Sequence, residues 1–115
     1  MNPLTHEWVD KAEGDFLTAE REYRARKSPN FDAVCFHAQQ AAEKYLKAVL
    51  QEGGNPIPRL HSLAELLALI AKSDASFLLL QPDMQSSSVI LASLRIRLKQ
   101  KLLYRLLNES VPSFE

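Results

Sequence analysis

The chain has 115 residues, 46% of them hydrophobic and 24% charged, with zero formal net charge and one cysteine. That length suits one domain with its own core, and the lone cysteine excludes an internal disulfide and suggests a reducing compartment. Neutral overall charge excludes a global field drawing the chain to nucleic acid or an anionic membrane; residues 1–85 carry −3 and residues 86–115 carry +3.

The N-terminal MNPLTHEWVDKAEGD is acidic and has no apolar core, so no secretory signal is expected. No run of about 18 apolar residues occurs, so no membrane span is expected and the cytoplasm is the expected location. A first helix is expected from about Leu4 to Lys27, with Thr5 as its N-cap and Glu7 and Asp10 near its start. Trp8, Ala12, Phe16, Ala19 and Tyr23 recur at helical spacing as its core face. Arg21, Arg24, Arg26 and Lys27 suit its carbonyl end, and Ser28-Pro29-Asn30 breaks it. So short a connection implies an antiparallel neighbour.

A second helix is expected from about Phe31 to Gln51, closed by Gly53-Gly54. Phe31, Cys35, Ala38, Ala42, Tyr45 and Val49 form its apolar stripe, widened by Val34, Ala41, Ala48 and Leu50. Cys35 is expected there as a small core hydrophobe. The small side chains let another helix approach closely, so Ala38, Ala41, Ala42 and Tyr45 are candidate interface residues. Beside them runs a polar line: His37, Gln40, Lys44, Lys47 and Gln51.

After the stiff linker Asn55-Pro56-Ile57-Pro58, a third helix is expected from Ser62 to Lys72. Ser62 and Glu65 have capping-box spacing, with Leu63, Leu66, Leu67 and Ile70 inward. A short helix through Phe77 and Leu80 would stop before Pro82. Ile90, Leu94, Leu98, Leu102 and Leu106 fit a last helix, although Leu94 to Lys99 alternates like a strand. Four or five helices with short connections give an all-α, up-and-down antiparallel bundle forming one domain over residues 1–115.

For chemistry, the polar line offers a phosphate site through Lys44 or Lys47, with His37 and Gln40 one helix turn apart; its alternative is hydrogen bonding between helices or subunits. His61 is either a ligand near phosphate or a cap of the third helix. Arg95, Arg97, Lys99, Lys101 and Arg105 are either an RNA phosphate contact or a solvated face. Glu13 and Asp15, two apart, point in different directions and make no catalytic pair. No Gly-rich phosphate loop and no Cys/His metal spacing is present, so neither a cofactor nor a metal is expected.

The acidic Trp-containing first helix with Ala12 and Asp15-Phe16, the run Phe36-His37-Ala38-Gln39-Gln40-Ala41-Ala42-Glu43-Lys44, the following Leu46-Lys47-Ala48, and His61-Ser62-Leu63 with Leu66-Leu67 together resemble the HEPN family (higher eukaryotes and prokaryotes nucleotide-binding) in its short stand-alone prokaryotic form. The likeness spans about residues 5–80, and residues 86–115 diverge from the family pattern. It implies a dimerising helical bundle, nucleotide or RNA association, and partnership with a small nucleotidyltransferase, often as a toxin–antitoxin pair. It also implies metal-independent ribonuclease activity where a His follows an Arg after four to six residues. None of His6, His37 and His61 stands in that relation to an Arg. The expectation is therefore a binding partner, with a divergent ribonuclease using His37 or His61 with Arg59 or Arg95, or a non-catalytic nucleotide-binding module, as alternatives.

Overall fold

The computed structural model describes residues 2–59 and 62–72. They form three helices and, among the described residues, no strand: α1 (Pro3–Tyr23), α2 (Phe31–Glu52) and α3 (Leu63–Ala71). The all-α expectation holds for these residues. The further helices expected through Phe77 and over Ile90–Leu106, and with them the count of four or five, lie outside the described residues.

Asn2, not Thr5, caps α1, its Oδ1 accepting from the Thr5 N–H at 2.8 Å. Pro3 moves the start forward, because its fixed φ and missing N–H suit the first helical position. Thr5 is thus inside the first turn and buried, its hydroxyl 3.1 Å from both Asn2 Oδ1 and Glu52 Oε1. The Asn2 N–H also donates to Glu52 at 3.3 Å, so the start of α1 is fastened to the end of α2.

α1 ends at Tyr23, four residues before the expected Lys27, with Arg24 as C-cap. The chain then turns through Ser28, whose φ of 45° is left-handed. Glu22 accepts from the Asn30 N–H at 2.6 Å, and Asn30 caps α2 through the Ala33 N–H at 3.1 Å. Arg26 and Lys27 consequently belong to an exposed turn, not to a helix end. Contacts from Thr5 to Glu52, Asp15 to Lys44 and Glu22 to Asn30 make α1 and α2 antiparallel, as the short connection implied.

α2 closes through paired carbonyl bonds: the Gly54 N–H donates to Gln51 O at 3.1 Å and the Asn55 N–H to Leu50 O at 3.0 Å. This motif needs a left-handed residue, and Gly54 supplies it at φ 74°. Ser62 caps α3 by accepting from the Glu65 N–H at 3.3 Å.

The main core gathers Ala12 and Phe16 of α1, Ala41, Ala42, Tyr45 and Leu46 of α2, and Leu63, Leu66, Leu67 and Ile70 of α3. A smaller cluster, Ala19, Val34 and Ala38, continues between α1 and α2. Two members of the expected stripe are corrected: Phe31 is 60% exposed and Cys35 is exposed. Along this stretch α1 buries only Val34 and Ala38, and the α3 residues cluster with α2 only from Ala41 onward, so periodicity alone does not bury Phe31 and Cys35. Tyr23, expected on the core face of α1, is likewise 60% exposed at the same end. No helix among the described residues is long and apolar enough to cross a membrane.

Candidate functional site on the polar edge of α2

Antiparallel pairing brings Asp15, from the middle of α1, against the polar line of α2. Asp15 Oδ1 is 2.9 Å from His37 Nδ1, and Oδ2 is in hydrogen-bond contact with Lys44 Nζ. An ionised carboxylate only accepts, so His37 Nδ1 carries the hydrogen and donates it. Nε2, the other ring nitrogen, is left facing away from Asp15, and the side chain keeps 30% of its surface exposed. Phe36 stands edge-on to the imidazole, with ring centroids 5.2 Å apart.

Burial by itself raises the Asp15 pKa. The hydrogen bonds from Lys44 and then His37, with the charge of each, outweigh it and hold the carboxyl below its ordinary value. The cluster can therefore orient an imidazole and fix the position of a lysine side chain. It also compensates that lysine locally, so an incoming phosphate would compete with Asp15 for Lys44.

Lys47 faces a different environment. Its side chain is 8% exposed, 3.7 Å from Glu43 Oε2, and its Nζ lies 5.5 Å from the Trp8 ring centroid. Lys11 Nζ approaches the same ring at 5.6 Å. A charge this buried needs such partners. A phosphate reaching Lys47 would have to displace Trp8 or Glu43.

The group of polar residues expected from helical spacing thus divides in the folded chain. His37 and Lys44 meet at Asp15, Gln40 lies half-buried between them on α2, Lys47 turns to Trp8 and Glu43, and His61 lies outside the described residues. The candidate interface residues Ala38, Ala41, Ala42 and Tyr45 are at most 1% exposed. They are packed within the chain, in clusters with α1 and α3, which leaves a second copy nothing of them to touch. In this chain the small side chains let α2 approach α1 and α3 closely.

Asp15 is the residue that sequence reasoning missed. Its signal is positional: it lies three residues after Ala12 and four before Ala19, an acid on the edge of the buried stripe of α1. A cavity of about 350 Å³ lies elsewhere, lined by Leu50, Asn55, Pro56, Pro58, Leu69 and Lys72, and includes none of these groups. Among the described residues no three His, Cys, Asp or Glu side chains gather as metal ligands.

Compared with known families, the chain matches the model of the HEPN domain over residues 5–101, and it belongs to that family. The match runs past the motifs that carry the resemblance, into the basic segment that holds Arg95 and Arg97. No curated protein and no solved structure matches the chain.

Proposed function

We propose that this HEPN-domain protein works by association: as a homodimer and as the partner of a small nucleotidyltransferase in a toxin–antitoxin-like system, receiving nucleotide or RNA phosphate along the polar edge of α2. The observation that carries the reading is a family match over residues 5–101 in a chain where no His follows an Arg at the ribonuclease spacing. The polar edge supports it, because His37 and Lys44 are held in fixed positions around Asp15. Reading the neighbouring open reading frames for a small nucleotidyltransferase, and co-expressing the tagged chain with it before light scattering, tests the proposal. Co-elution of both proteins and a dimeric mass for the chain alone are expected. A strict monomer at micromolar concentration that leaves the nucleotidyltransferase behind would overturn it.

The 2.9 Å contact between Asp15 and His37 favours a second reading, a divergent metal-independent ribonuclease. Here His37 Nε2 would take the proton of a ribose 2′-hydroxyl as its oxygen attacks the adjacent phosphorus, and the 5′-oxygen would leave with a proton from water. Cleavage of RNA by the wild type, abolished in His37→Ala with its helical content intact, is the expected result. Equal activity in both proteins removes His37 from that role. A nucleotide-binding module without catalysis would instead show calorimetric binding of ATP that Lys44→Ala weakens.

A further inference from the structure

The polar edge is not the part of the molecule best furnished for a nucleic acid strand. At the turn between α1 and α2, four of the seven residues from Arg21 to Lys27 are basic, and Arg21, Arg24, Arg26 and Lys27 are all exposed. The one acid among those seven, Glu22, is engaged with the Asn30 N–H. Arg24 meets Glu20 at 3.7 Å, but its side chain is 79% exposed, and so open a pair is easily exchanged for a phosphate. Asp32, in the first turn of α2, is an exposed acid nearby.

Three aromatic rings emerge at the same end: Tyr23 and Phe31 are 60% exposed and Phe36 is 59% exposed. Tyr23 closes α1 and Phe31 opens α2, so the basic turn runs between them. Phe36 follows a little over one turn later and leads, through its edge contact with His37, toward the Asp15 cluster. Among the described residues the exposed leucines, Leu4 and Leu17, lie further back along α1, so the large apolar groups bared at the turn are rings. Cations interleaved with exposed rings suit a strand whose phosphates and base faces are both accessible. Rings and arginines also occur at protein interfaces, and what favours a strand here is the run of four exposed cations beside the rings.

We propose that this end of the hairpin is a binding face for single-stranded nucleic acid, with Arg24, Arg26 and Lys27 on phosphates and Tyr23, Phe31 and Phe36 under bases. The face is distinct from the polar edge and independent of the nucleotidyltransferase partnership: a chain that binds no such partner would still bind the strand.

The test is fluorescence anisotropy of the full chain with labelled oligouridylate of about fifteen nucleotides, with a duplex of equal length for comparison. Saturable binding is expected at low salt, falling with a log–log slope of about −2 to −3 for three or four phosphate contacts. Arg24→Glu with Arg26→Glu should weaken it at least tenfold. Phe31→Ala and Phe36→Ala should each weaken it by about 5- to 100-fold, since base–ring stacking is lost. Lys11→Ala, in the middle of α1 and about 18 Å along the helix axis from Tyr23, should leave it within twofold, and circular dichroism should be unchanged throughout because every altered side chain is exposed. Absence of saturable binding, equal affinity for the duplex, or full affinity in Phe36→Ala would overturn the proposal. So would a drop from dimeric to monomeric mass in the Phe variants with RNA affinity intact, since the rings would then belong to a protein contact.

Discussion

The two halves of α2 have similar helical patterning and opposite surroundings. From Ala41 to Leu50, eight of ten residues are buried; from Phe31 to Gln40, only Val34 and Ala38 are. In the covered half even Glu43 and Lys47 are enclosed, while in the open half a cysteine and two phenylalanines face solvent. Periodicity specifies which side of a helix is apolar. How much of that side is covered along the axis depends on the reach of its neighbours: α1 runs the whole length of α2, whereas the short α3 packs on the half from Ala41.

Truncation should separate the halves most sharply. Leu46 and Leu66 are fully buried, and Leu46→Ala or Leu66→Ala should cost about 2–5 kcal/mol by urea unfolding. A loss below about 1 kcal/mol would mean that the covered half is less tightly packed than its burial indicates.

The next effect falls where the halves join. Asp15→Ala leaves Lys44 and His37 around a missing acceptor and should cost about 2 kcal/mol near neutral pH. Because the folded carboxyl is held below its ordinary value, its contribution is complete above about pH 5 and is lost as pH falls through the lowered folded value. Wild-type and Asp15→Ala stabilities should therefore converge in acid; a gap that persists unchanged at pH 2 would refute this electrostatic account.

At the end of the covered half, Gly54→Ala should cost about 1–2 kcal/mol from backbone conformation alone. The residue has φ 74°, and a Cβ there would meet no atom within 4 Å. Thermal melting that shows no loss would place the strain elsewhere. Smallest of all, Cys35→Ser in the open half should change stability by less than about 0.5 kcal/mol. It should also abolish rapid labelling by a thiol reagent; slow labelling of the wild type would show that the open half is covered in solution.

Local signals are legible in this sequence and pairings are not. Ser62 and Glu65 identify the start of α3, and Leu63, Leu66, Leu67 and Ile70 all point inward as their spacing implies. The end of α1 is ambiguous because Arg24, Arg26 and Lys27 suit a helix C-terminus and an exposed turn equally well. Its start is set by Asn2-Pro3, a stronger signal than the threonine that follows. Asp15 becomes visible only after α1 is laid antiparallel on α2, since nothing within α1 reveals which cations it will meet. His61 and the basic run from Arg95 to Arg105 lie outside the described residues, and their roles rest on the sequence alone.

Trp8 is the sole tryptophan in the chain and lies half-buried over Lys47, close to where Asn2 and Thr5 are fastened to Glu52. Ultraviolet emission from the native protein therefore reports a single location, the sealed end of the hairpin. Separation of α1 from α2 there would hydrate the indole and redden its fluorescence, giving an optical readout of opening that needs no added dye.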